Sequence, residues 1–186
     1  MSISSRLTPL LAMAAALSGC GSSIDSSQSA TSGNADVNIT VPAAPTALSG
    51  QAFADKAAAS DAFEVASATL ALGKSPSRFI KAYAEQIIDA HTKSTATLKA
   101  AAAEANLTPV AALPAVLQAR LDALTPLTGA AFEKTYAAQQ IAVHEAMLGI
   151  LQDYGASGDV SSLRTFANDA VPAVEHHLEM ARDLHP

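Results

Sequence analysis

The chain has no tryptophan, a single cysteine, and few aromatic (4%) or charged (15%) residues among its 186 positions. One cysteine excludes an intramolecular disulfide framework and a thiolate zinc cluster. A composition poor in aromatics and rich in alanine argues against a β-sandwich or barrel, whose strands draw on β-branched and aromatic side chains. Cations are scarce as well, with 11 Lys and Arg against 17 Asp and Glu and a pI near 5.2. No cationic face is therefore available to neutralise a phosphate backbone, which excludes nucleic acid as a partner. Gly-x-Ser-x-Gly elbows and Gly-rich phosphate loops are absent, so nucleophilic and phosphoryl chemistry find no support. What is abundant is hydrophobic residues, at 49%. Alanine, roughly a quarter of the chain, inflates that share and favours helices. The length suits one domain plus an appendage.

The appendage is N-terminal. One cation, Arg6, precedes an apolar stretch from Leu7 to Leu17. At about eleven residues it is too short to span a bilayer, which takes about 20, but it suits a signal-peptide core. The stretch ends in Leu17-Ser18-Gly19-Cys20, which resembles the lipobox of bacterial lipoproteins. The resemblance implies that residues 1–19 are removed and that Cys20, through its thiolate, receives the lipid. Several acyl chains anchor a protein stably. Gly21 is not the Asp associated with inner-membrane retention, so the same resemblance implies an outer-membrane lipoprotein facing the periplasm or the cell surface. An ordinary secretory signal is the alternative. Residues 20–50, rich in Ser, Thr, Gly and Asn, have no periodic apolar face and read as a disordered tether spanning roughly 30 Å.

From residue 51 to 186 the apolar residues recur at three and four, the helical period. Helix 1 is expected over Gln51–Leu72 with Gly73 as its stop, and Ser75-Pro76 reads as cap and first turn of helix 2. Helix 2 runs to about Ala105, closed by Asn106. A short extra helix is expected from Pro114 to Ala123. Helix 3 opens at Thr128 or Gly129 and ends at Gly155; helix 4 is capped by Asp159 and contains Pro172, which should kink it. Two antiparallel hairpins joined by a longer connector predict an all-α, antiparallel four-helix bundle, with the extra helix between helices 2 and 3.

Polar residues interrupt the apolar rows at Glu64, His91, His144 and His177. Each lies within about five residues of its helix midpoint, roughly 7 Å along the axis. In an up-down-up-down bundle they would sit at one level and could converge. Burying several imidazoles costs free energy unless they are paired or hold a metal. The Glu-x-x-His pairs of di-iron bundles are missing, which counts against a ferroxidase. His144–Met147 and His177–Met180 instead pair imidazole with thioether one turn apart, a combination that favours copper among transition metals; the plainer alternative is that Met147 and Met180 merely fill core gaps.

Phe53-Ala-Asp-Lys-Ala-Ala-Ala, Ala62-Phe-Glu64-Val, Asp89-Ala-His91-Thr-Lys93, Leu127 through Tyr136, Val143-His144-Glu145 and Pro172 through Leu178 resemble the bacterial family catalogued as domain of unknown function 4142. Over essentially residues 51–185, that resemblance implies a ferritin-like four-helix bundle in a periplasmic or outer-membrane protein. Its characteristic polar positions fall on Glu64, Asp89, His91, His144, Glu145 and His177. Ala66 departs from it, where relatives often carry a second acidic residue. Three readings follow. The first is a non-enzymatic, lipid-anchored protein holding a transition metal through Glu64, His91, His144 and His177, with Asp89, Glu145, Met147 and Met180 as outer or soft ligands. The second is a structural or stress-related envelope interaction protein whose polar cluster only sets helix register. The third is a ferritin-like oxidoreductase.

Overall fold

The structure, a computed structural model, describes residues 47–184. The leader, Cys20 and the tether up to residue 46 lie outside the described residues. The chain forms five helices: α1 (Gly50–Lys74), α2 (Arg78–Ala103), the short α3 (Ala115–Leu124), α4 (Gly129–Ser157) and α5 (Ser161–Arg182). None of these is long and apolar enough to cross a membrane.

Several helix ends differ from their expected places, each for a local reason. Helix α1 continues through Gly73 to Lys74, because its stop is set by Pro76, which disfavours helical backbone in the residue before it. The cap of α2 is Ser77, whose side chain accepts from the Ile80 amide. Ser75 is engaged elsewhere: its hydroxyl donates to the buried Glu133 carboxylate, which also accepts from the Ser77 amide at 3.1 Å. Asn106 ends its helix region in the left-handed conformation, φ 57°, with the Leu107 amide returning to the Ala102 carbonyl. Gly155 does not stop α4, which runs to Ser157. It lies where a Cβ would meet Asn168 Oδ1 at 2.3 Å, so it serves close approach of α5. Asp159 does not cap α5 with its side chain; it accepts from the Tyr154 hydroxyl at 2.8 Å. Helix α5 passes through Pro172 as one helix.

α1 packs on α2 and α4, and α5 on the other sides of the same two helices. The start of α1, the ends of α2 and α4 and the start of α5 share one apolar layer, built from Phe53, Leu98, Leu151, Tyr154, Leu163 and Phe166. A second layer at the opposite end joins Ala71, Ile80, Tyr83, Phe132, Tyr136 and Ala181. Neighbouring helices are therefore antiparallel while α2 and α4 run the same way. The expected up-down-up-down order is corrected to up-down-down-up. The α2–α4 connection must return along the whole bundle, and it does so over α1. The Val110 amide donates to Asp55 near one end of α1, and Lys74 at the other end donates to the carbonyls of Thr125 and Leu127. Each large apolar side chain in the two layers contributes about 1.5–3 kcal/mol by leaving water. Stacking of Phe53 on Tyr154, with centroids 3.9 Å apart, ties α1 to α4.

Candidate metal centre

Between the two apolar layers lies a polar one, formed by Asp61 and Glu64 of α1, His91 of α2, Gln140 and His144 of α4 and His177 of α5. All are buried, Glu64 completely. The reversed direction of α4 and α5 leaves the level unchanged, because a helix midpoint stays at mid-bundle whichever way the chain runs.

The three histidine rings form a nearly equilateral triangle, with centroids 5.6, 5.4 and 5.5 Å apart for His91–His144, His91–His177 and His144–His177. One ring nitrogen from each lies within 4.8 Å of the others. Even at that spacing a central ion would stand about 2.8 Å from each nitrogen. A zinc–imidazole bond is about 2.0–2.1 Å, so each ring need move inward by less than about 1 Å.

Two rings are held by outward hydrogen bonds. His91 Nδ1 lies 2.8 Å from Asp61 Oδ1, and the other Asp61 oxygen accepts from the Thr95 hydroxyl at 3.0 Å. His144 Nδ1 donates to the Gln140 carbonyl at 2.8 Å. Both acceptors lack protons to give, so each ring carries its hydrogen on Nδ1. In the neutral rings Nε2 keeps a free lone pair, the arrangement that orients metal-bound imidazoles. His91 Nε2, His144 Nε2 and His177 Nδ1 are all buried with no hydrogen-bond partner. Leaving such a group unpaired costs about 1–3 kcal/mol, and a shared cation is one ligand that satisfies all three.

Burial pushes His144 down to about 3, with the charge of His91 acting in the same direction. It pushes His177 down to about 4, helped by His91 and His176. Both are neutral donors at physiological pH. His91 departs the other way: burial opposes its charge, but the Asp61 hydrogen bond and the charges of Glu64 and Asp61 raise it. Burial likewise lifts Glu64 to about 7, and neither of its oxygens has a hydrogen-bond partner.

The structure thus brings His91, His144 and His177 together, with Glu64 beside them rather than among them. Glu64 Oε1 lies 3.7 Å from His144 Nδ1, the nitrogen turned away from the trio. Asp89 and Glu145 are not at the centre. Asp89 pairs with Lys93 at 2.6 Å on the surface, and Glu145 with Arg182 at 2.8 Å. Met147 is partly buried and borders, with His91 and Asp61, a small pocket of about 30 Å³. Met180 packs into the far apolar layer instead. Sequence reasoning missed Asp61, although it stands one turn before Glu64 on the same helix face.

Fold and site together define an all-α helical bundle with a buried three-histidine centre at mid-height. A family model described as a domain of unknown function (DUF4142) matches residues 38–184, and the chain belongs to that family. No curated protein and no solved structure matches it.

Proposed function

We propose that this chain is a lipid-anchored envelope protein that binds a transition metal, copper foremost, through His91, His144 and His177, with Glu64 as a buried neighbouring carboxyl. One observation carries the reading: three buried histidines that each offer a ring nitrogen within 4.8 Å of the others', and that each keep a buried nitrogen without a protein partner. Imidazole suits copper, zinc, iron and nickel. The thioether of Met147, which shares a cavity with His91, tips the balance toward copper(I). The leader ending in Cys20 supports attachment to the outer membrane, and the single long crossover supports grouping the bundle with ferritin-like folds. The site is a binding centre rather than a di-iron oxidase, since its only completely buried carboxylate is Glu64 and the Glu-x-x-His pairs are missing.

The test is metal analysis of untagged protein exposed to copper and to zinc. The expected result is one ion per chain, lost in His91→Ala and His177→Ala. Stoichiometry near zero with both metals would overturn the reading. The second reading, a cluster that only sets register, is favoured by the linked bonds from Tyr83 to Gln140 and from Gln140 to Ser67, at 2.9 and 3.1 Å. It predicts that His→Leu changes alter stability and no binding.

A further inference from the structure

The metal reading leaves open how an ion reaches a site buried at mid-bundle. The three histidines differ in how they are held. His91 and His144 are each locked by a hydrogen bond behind the ring. The Nδ1 of His177 has no partner, though the residue is only 7% exposed.

Grooves follow three of the seams between the helices around the trio. On the α1–α4 side, the crossover with α3 covers a groove lined by Met147 and Val143. On the α1–α2 side, a groove reaches Asp61 and Thr95. Neither of those two carries a histidine. The seam between α2 and α5 is different: a groove of about 300 Å³ there has both His91 and His177 in its lining. Small side chains leave it open, Ala90 and Ser94 from α2 against Ala170 and Ala173 from α5. The 30 Å³ pocket that touches Asp61 and Met147 shares His91, Ser94, Phe166, Ala170 and Val174 with that groove. Such a volume holds about one water or one small ion. At the mouth, Lys93 is tied to Asp89, and Asp169 adds a carboxylate to the lining. A net charge of −6 raises the local concentration of cations.

We infer that the α2–α5 groove is the route by which the metal is exchanged, and that His177 is the ligand that captures and releases it. The inference rests on the metal reading. An incoming cation sheds water in the groove and meets His177 first. It then passes inward to the Nε2 atoms of His91 and His144, which are already aimed by Asp61 and by the Gln140 carbonyl. Release runs in reverse, with His177 turning out while the two locked rings hold their positions. No bond other than metal–ligand bonds is made or broken.

The experiment loads the wild type with copper(II) or zinc(II), whichever it retains at one per chain. It follows uptake and the release of the ion to excess chelator, together with equilibrium affinity. Ser94→Leu and Ala173→Leu fill the groove from opposite walls; Ala146→Leu makes the matching change on the crossover side, where Ala146 lines the other groove. Expected are uptake and release slowed at least about tenfold in S94L and A173L, with affinity changed less than about threefold and A146L unaffected. Because the two variants come from different helices, one that distorts the ligand set leaves the other to decide. Wild-type rates in a variant that keeps its affinity would overturn the route, as would slowing by A146L instead. Loss of the ion in both variants would also overturn it, since a mere passage tolerates a filled wall. Failure of the wild type to retain either ion would overturn the metal reading itself.

Discussion

Asp61 and His91, thirty positions apart on neighbouring helices, are joined by a 2.8 Å hydrogen bond that determines which nitrogen of His91 is left for a ligand. The carboxylate takes the Nδ1 side, is itself held by Thr95, and leaves Nε2 buried and unpartnered. A carboxylate behind an imidazole both fixes the ring and strengthens it as a donor.

Asp61→Asn should therefore weaken metal binding by about 10–100-fold while leaving the bundle folded. Titration calorimetry with the circular dichroism spectrum as a control measures this. Thr95→Val, which removes only the support of Asp61, should cost less. Equal affinity in D61N and wild type would remove Asp61 from the site.

The metal-free protein should be most stable near pH 6.5. Below that, His144 and His177 stay neutral in the fold but take up protons when unfolded, so acid favours the unfolded chain. Glu64 partly offsets this, because from about pH 4.5 to 7 its proton is held in the fold and lost on unfolding. His91, raised in the fold, is protonated in both states below 6.5. The unfolded chain then holds a net excess of about one proton between pH 6 and 4.5, a loss on the order of 2 kcal/mol. Above pH 6.5, Glu64 and His91 both lose protons that the fold favours, and stability declines again. Urea unfolding across this range with a chelator present gives the profile. A rise in stability from pH 6 to 4.5 would contradict it.

Glu64→Gln isolates one limb of that profile. A group raised above its unfolded pKa contributes stability that is present at low pH and lost as pH rises through the folded value. The amide cannot ionise, so E64Q should gain on the wild type between pH 4.5 and 8, by up to about 3 kcal/mol. Comparing the two proteins at each pH cancels the contributions of His144 and His177, while His91, raised in part by the Glu64 charge, shifts with the substitution. A constant difference would show that Glu64 is not what sets the alkaline limb.

Cys20→Ala tests the address separately from the site. It should shift the protein from the membrane fraction to the soluble one or to an uncleaved precursor, while metal stoichiometry of the purified bundle stays the same. Unchanged membrane association would remove the lipid anchor.

Periodicity along the chain was enough to place Glu64, His91, His144 and His177 at one level, because both helix midpoints and inward faces are local properties. The helix ends at Gly73, Ser75, Gly155 and Asp159 were misplaced for the opposite reason. What each of those residues does depends on a neighbour: Pro76 beside Gly73, Glu133 across the bundle from Ser75, Asn168 against Gly155, Tyr154 over Asp159. Asp89 and Glu145 show the same limit. They fall within two positions of histidines, yet they turn outward to Lys93 and Arg182, since one or two residues along a helix is about 100° or 200° of rotation.

By itself, then, the sequence determined the helices, the absence of an intramolecular disulfide from a single cysteine, and the height at which polar groups would be buried. Only the tertiary structure decided the direction of α4 and α5, the partnership of Asp61 with His91, the position of Glu64 outside the trio and the opening between α2 and α5. The physical reason is one of range. Helix formation and burial of a face follow from residues three and four apart. The aim of a ring nitrogen follows from an acceptor on another helix, and an open seam follows from small side chains meeting small ones across it.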